Sequence, residues 1–362
     1  MPLPSIDPAN YAAQLAEKVA QFKADFAPFA LPEPAVFPSA PEHYRMRAEF
    51  RIWHQDDALD YAMFDPEQPK QPVMIEHFPM ADAAICALMP RLMERLRASQ
   101  TLRGGLFQVD FLATLSGELM VTLVYHRKLG EGWELAARDL AADLKVQVIG
   151  RSRGQKVVLD RDWLLEEFEL DGRRLRYQQI EGSFTQPNGG VNKHMLGWAC
   201  AQAADLGGDL LELYCGNGNF TLALAPSFGR VLATEVSKSS VRAAEYNIAA
   251  NAVANVALVR ASSAEISDVL AGREVLKRMK DIDLADYRFS TLFVDPPRSG
   301  LDATTLELAA GFEHILYISC NPQTLRDNVA ALQATHQVSA AALFDQFPYT
   351  HHVECGLLLT RR

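Results

Sequence analysis

Between residues 210 and 318, short apolar runs alternate with helical stretches, and no other feature constrains the fold as much. The runs cover 210–214, 231–234, 256–259, 292–294 and 315–318, with a helix pattern after each strand turn, as over 237–250. Strands joined through helices lie parallel, and right-handed crossovers stack the helices on both faces of one sheet. The expected domain is therefore a doubly wound α/β sheet, whose chemistry sits just beyond the carboxyl ends of its strands. Residues 264–288 form a charged insertion between the third and fourth runs. Runs at 341–344 and 355–360 flank Phe347-Pro-Tyr-Thr-His-His352 and read as an antiparallel pair on the sheet edge. Ahead of the sheet, an extended stretch ends at 184–188 and a helix covers 191–204.

The first half has a different rhythm. A helix opens it, with Asp7 as cap, Pro8 in the first turn, and Leu15, Val19 and Phe22 on one face. A Pro-rich connector covers 31–41. Strands at 43–54 and 61–64 interleave aromatic and basic residues. That interleaving suits single-stranded RNA, where rings stack on bases and Arg meets phosphate; it equally suits an amphipathic strand with a solvated Arg face. Residues 79–99 read as helix interrupted by Pro90, and 132–144 as a second helix. Hairpins are expected around Ser116-Gly117 and around Arg151-Ser-Arg153-Gly154. This is an α+β pattern without a βαβ rhythm. The 362 residues thus divide into an amino-terminal domain, 1–180, and a carboxy-terminal domain, 181–362.

The formal net charge is −10, which argues against a general nucleic-acid coat protein but leaves room for a local basic patch. Five scattered cysteines with no Cys-x-x-Cys pair point to free thiols in a reducing cytoplasm, and to neither zinc nor an iron–sulfur cluster. No apolar run approaches the ~18 residues that span a bilayer, and no secretory signal pattern is present.

Three strand ends carry the chemistry. The first run leads into Tyr214-Cys-Gly-Asn-Gly-Asn219, a Gly turn that opens a helix, and Glu235 ends the next strand, where a carboxylate can hold a ribose diol. The third Gly of a dinucleotide fingerprint is missing, so a nucleoside cofactor without a pyrophosphate, such as S-adenosylmethionine, fits better than NAD. The fourth strand ends in Asp295-Pro-Pro-Arg298 and the fifth in Ser319-Cys320-Asn-Pro322. Pro322 suits a first helical turn, and the N–H groups there are expected to favour a thiolate at Cys320. Carbon 5 of a pyrimidine becomes nucleophilic when a thiolate adds to carbon 6, and a base must then remove the carbon-5 proton. The late segment offers Glu354 as that base, unless it is simply a solvated strand-end carboxylate.

These segments together resemble the tRNA (uracil-5-)-methyltransferase family. The resemblance is carried by Ser183-Phe-Thr-Gln186-Pro-Asn, Leu213–Phe220, Phe293–Leu301, Tyr317–Pro322 and Phe344–Gly356, and extends to His43–His54. It implies a Rossmann-like class I S-adenosylmethionine-dependent methyltransferase domain, mostly parallel with an antiparallel edge hairpin, preceded by an α+β RNA-binding domain. It implies Cys320 as nucleophile, Glu354 as general base, and Gln186, Tyr214, Asn219, Glu235 and Asp295 as cofactor-binding residues. The implied substrate is the uridine at position 54 in the T-arm of tRNA, with other RNAs of T-loop-like fold as further candidates. Arg51, Phe107 and His126 are expected to hold the distorted loop, because extruding a stacked base leaves a vacancy that a ring can fill. No metal, membrane or obligate protein partner is expected. The alternatives are the same reaction on ribosomal RNA, an NAD-dependent oxidoreductase, disfavoured by the missing Gly, and a non-catalytic RNA binder, which has no need of Cys320 and Glu354 at separate strand ends.

Overall fold

The computed structural model describes residues 6–56, 58–65 and 68–362. A 3-10 turn at Pro8–Asn10 leads into α1 (Tyr11–Phe26). Asp7 makes no side-chain cap there; its carbonyl accepts the Asn10 N–H, so the expected cap is replaced by a backbone turn. Phe22 and Phe26 are buried and Leu15 and Val19 pack beside them, as the spacing predicts for one helix face.

After β1 (Ala35–Phe37), a seven-stranded sheet is built from β2 (Arg47–Gln55), β3 (Ala58–Phe64), β4 (Pro72–Met74), β5 (Leu106–Ala113), β6 (Leu119–Tyr125), β7 (Gln147–Ser152) and β8 (Gln155–Val158), in the order 4-3-2-5-6-7-8. Along β2, Ala48, Phe50 and Ile52 point into the core while Glu49 and Arg51 face out, the period of two that a half-buried strand requires. The core lies under α2 (Ala83–Ala98), the single-turn α3 (Gln100–Arg103) and α4 (Glu131–Leu144). Pro90 does not interrupt α2, contrary to the expectation; the helix continues through it. The absence of a βαβ rhythm is also corrected: β6, α4 and β7 form one, with β6 and β7 parallel. A further hairpin, β9 (Trp163–Leu170) and β10 (Arg173–Ile180), forms a separate two-stranded sheet.

The second sheet is organised by α5 (Gly189–Ala203), β11 (Asp209–Leu213), α6 (Asn219–Leu224), β12 (Val231–Glu235), α7 (Lys238–Ala250), β13 (Val256–Arg260), α8 (Ser263–Leu270), β14 (Phe289–Val294), α9 (Ala303–Ala309), β15 (His314–Ser319), α10 (Pro322–Leu332), β16 (His336–Phe344) and β17 (Glu354–Arg361). The strand order 1-16-17-15-14-11-12-13 is the doubly wound α/β arrangement expected, with its switch point between β11 and β14. The charged insertion contains α8, whose Ser262 and Glu265 form a capping box. The β16–β17 pair is antiparallel, but it does not form the sheet edge. β17 lies between β15 and β16, and β1 pairs parallel with β16 outside them. The segment before residue 40, grouped by sequence with the first domain, therefore packs on the second sheet.

Candidate active site

Five strand termini meet on one side of this sheet. β11 runs into Tyr214, which sits at φ 62°, and then through Gly216 at 57° and Gly218 at 84° before α6 begins. Left-handed backbone at three of five residues folds the turn back over the strand end, and two of the three are glycine because that conformation strains other residues. Tyr214 donates its hydroxyl hydrogen to Ser263 Oγ at 2.8 Å. Glu235, the last residue of β12, accepts from the Gly216 N–H at 3.0 Å and the Ser237 N–H at 2.7 Å. Each oxygen thus holds one backbone donor and retains a lone pair for a ligand hydroxyl. Asn219 and Asn192 exchange amide hydrogen bonds at 2.9 and 3.0 Å across α6 and α5.

The remaining termini belong to β14, β15 and β17. Val294 registers with Tyr317, and Ser319 with Cys355. Carried one residue further, the antiparallel β15–β17 register sets Cys320 across from Glu354. Arg298, after the Pro-Pro turn, has its carbonyl bonded by Asn321 Nδ2 at 2.9 Å and Thr324 Oγ1 at 3.2 Å. The loops that follow β14 and β15 are thereby tied together.

Burial pushes the Cys320 thiol up to about 11, with the charges of Glu354 and Asp295 adding to it and Arg298 opposing. The expectation of a stabilised thiolate is therefore not met in this state. The helix terminus has already spent its nearest donors: Ser319 Oγ accepts the Asn321 N–H, and Asn321 Oδ1 accepts the Gln323 N–H. Glu354 is 3% exposed, not a solvated strand end. Burial, reinforced by Asp295, holds its carboxyl well above the ordinary range, while Arg298 pulls it down. Burial also brings Asp295 up to about 7.

Gln186 accepts from Gln346 Nε2 at 3.2 Å. The sequence assigns no role to Gln346, Asn192 or Glu212; the first two bond Gln186 and Asn219, and Glu212 is fully buried in β11. Gln346 Oε1 is a buried acceptor without a hydrogen-bond partner, and burial pushes the Glu212 carboxyl up to about 8, with Thr221 opposing the shift. A lone carboxylate inside the apolar run of β11 was the available signal for Glu212, since such groups are retained only for a partner. A buried acceptor without a donor fits a ligand that brings an N–H. Among the described residues, no group of three or more His, Cys, Asp or Glu side chains is placed to hold a metal ion.

Arg51, Phe107 and His126 come together on the first sheet, on neighbouring strands. The Arg51 guanidinium lies 4.0 Å from the Phe107 ring centroid, and the Phe107 and His126 centroids are 4.1 Å apart. A register shift between Leu106 and Gln108 displaces Phe107 from the regular ladder. Arg51 and His126 are exposed. The start of β2 is pinned to the segment that carries Gln186: the Met46 N–H donates to Pro187 O at 2.8 Å, and Arg47 Nη2 to Ser183 O at 3.2 Å.

Residues 10–362 match the family described as tRNA (Uracil-5-)-methyltransferase. The chain is 73% identical over 362 residues to a tRNA/tmRNA (uracil-C(5))-methyltransferase of Aromatoleum aromaticum, covering all of this chain and 98% of that one. It is 70% identical to the protein of the same name in Dechloromonas aromatica, with both chains fully covered. The crystal structure of the Pyrococcus abyssi tRNA (uracil-54, C5)-methyltransferase in complex with S-adenosyl-L-homocysteine has the same fold. Its TM-score is 0.73 at 22% identity, over 97% of this chain and 84% of that one.

Proposed function

The chain belongs to the tRNA (uracil-5-)-methyltransferase family, and from that premise we propose that it methylates carbon 5 of the T-loop uridine at position 54 through a covalent Cys320 adduct. At the coarser level, it is an S-adenosylmethionine-dependent class I methyltransferase acting on carbon 5 of uracil in tRNA/tmRNA, the activity named in relatives 70–73% identical to it. The ribosomal-RNA alternative gives way to those substrates. The same reading assigns the enzyme to the cytoplasm.

The observation that carries the finer reading is the β15–β17 register, which sets a thiol and a buried carboxyl across from each other at the strand ends. In this mechanism the Cys320 thiolate adds to carbon 6 of uracil, and carbon 5 becomes the nucleophile. S-adenosylmethionine supplies the electrophilic methyl group. Glu354 then takes the carbon-5 proton, the carbon 6–sulfur bond breaks, and the thiolate returns. A carboxyl held well above its ordinary range is a stronger base once ionised, which suits this step. Gln186, Tyr214, Asn219, Glu235 and Asp295 would hold the methyl donor. Glu235 has lone pairs for the ribose diol, and the unpartnered Gln346 Oε1 suits a ligand bearing an ammonium. Arg51, Phe107 and His126 would receive the opened T-arm, with the β2–β8 sheet as the RNA-recognition unit and residues 181–362 as the catalytic one.

The test is methyl transfer from labelled S-adenosylmethionine to unmodified tRNA, followed by nucleoside analysis, for wild type and Cys320→Ala. The expected result is 5-methyluridine at position 54, lost in the variant. Full methylation by Cys320→Ala would sink the covalent mechanism, and label at another uridine would sink the position.

A further inference from the structure

Glu354 opens β17, and the loop that delivers it, residues 345–353, is held from outside the sheet by α1 and the connector after it. Lys18 is the centre of that hold. It is 8% exposed, and its ammonium reaches Asp345 Oδ1 at 2.6 Å, Phe347 O at 2.9 Å and His352 O at 3.1 Å. An ammonium has three protons, and here each has an acceptor on one loop. Asp345 is fully buried, and its other oxygen accepts the Tyr11 hydroxyl at 2.8 Å. The same helix adds Gln14, whose Oε1 accepts the Tyr349 N–H at 2.7 Å, where Tyr349 stands at φ 61°. From the connector side, Phe37 O accepts the Asp345 N–H at 3.0 Å, and Pro41 O accepts the Tyr349 hydroxyl at 2.8 Å.

An ion pair is not needed merely to fasten α1, whose Phe22 and Phe26 already bury an apolar face. Buried ion pairs add little net stability over apolar packing, because desolvation offsets their attraction. Their two-carbonyl grip does something packing cannot: it fixes the path of a backbone. His352 lies two residues before Glu354, so a bond to its carbonyl sets where β17 begins.

We propose that Lys18 is a positioning residue for the reaction, fastening the 345–353 loop so that Glu354 stands across from Cys320. The proposal rests on the reading of Glu354 as the base. Lys18 touches no substrate; it acts through the loop carbonyls. Without a placed base, addition of the thiol and methyl transfer still occur, while removal of the carbon-5 proton stalls. The carbon 6–sulfur bond then persists as an SDS-stable enzyme–RNA complex.

The experiment compares wild type, Glu354→Gln, and the double variant Lys18→Met with Asp345→Asn, which removes the buried charge and the grip together. Steady-state methylation of tRNA, SDS gels with labelled tRNA and thermal melts are recorded for each. For the double variant, kcat falls about 100-fold with KM within about threefold, since a small misplacement of a reacting group has that effect. The SDS-stable complex accumulates as in Glu354→Gln. Gln14→Ala removes a bond to the same loop without touching a charge, and lowers kcat about fivefold with an unchanged melt. Should the double variant fail to fold, Gln14→Ala decides: turnover as in wild type overturns the proposal. Near-normal kcat in a folded double variant overturns it too, as does parallel loss of turnover and complex. If Glu354→Gln turns over like wild type, the base assignment falls and this proposal falls with it. If Glu354→Gln traps the complex while the double variant turns over, only the role of Lys18 is refuted.

Discussion

Burial holds the thiol of Cys320, the proposed nucleophile, in its neutral form, and that state has a measurable pH signature. With its thiol at about 11, Cys320 is thiolate to a fraction of ~10⁻⁴ at pH 7 and ~10⁻² at pH 9. An ordinary thiol near 8.5 goes from about 3% to about 75% over the same interval. Alkylation of Cys320 by iodoacetamide should therefore rise about 100-fold between pH 7 and 9, against about 25-fold for an ordinary thiol. Its rate at pH 7 should lie about 300-fold below that thiol's, before any allowance for access. Mass spectrometry of the Cys320 peptide separates it from Cys86, the other half-buried cysteine. Glu354→Gln removes the largest contribution after burial, so the profile moves to lower pH; Arg298→Ala removes the opposing charge and moves it up. A wild-type profile that levels off below pH 9 would refute the reasoning, because burial beside two carboxyls then fails to hold the proton on.

Three further outcomes are expected. Glu235→Gln keeps the shape but loses the charge of the proposed ribose contact, so affinity for S-adenosylhomocysteine falls about 10- to 100-fold by calorimetry while tRNA affinity holds; a change within twofold removes Glu235 from the cofactor site. Phe107→Ala deprives Arg51 and His126 of their shared ring, and T-arm RNA binds about 10- to 100-fold more weakly in filter assays with cofactor affinity intact. Asp110 at about 6, Glu166 and Asp295 at about 7 and Glu212 at about 8 all hold protons in the fold that the unfolded chain releases near pH 4. The folded state binds more protons, so stability falls as pH rises through 6 to 8, and scanning calorimetry should give a higher Tm at pH 6 than at pH 8.

What the sequence reveals of this site follows physical range. The alternation that defines β11 to β15, the Gly turn and the cysteine after β15 are local signals, and each falls where its pattern predicts. The Asp171-Gly172 turn between alternating runs is equally local evidence for the β9–β10 hairpin. Other features depend on partners far away in sequence. Lys18 looks like any solvated helix lysine until Asp345 is folded against it. The three-residue β1 is too short for any periodicity to announce. The thiol of Cys320 departs from the local expectation because burial and the carboxyls of Glu354 and Asp295, both distant in sequence, outweigh the helix terminus beside it.

The position of β17 has a consequence for synthesis. It follows every other strand of its sheet in sequence, yet it is inserted between β15 and β16, and β16 is paired on its other side with β1. The sheet of β2 to β8 draws all its strands from residues 47–158. The second sheet draws on strands from residues 35–37 to 354–361, and Glu354 enters it only with β17. The proposed base therefore joins its sheet only after every strand around it has been made, and the candidate site is completed later in synthesis than the sheet of β2 to β8.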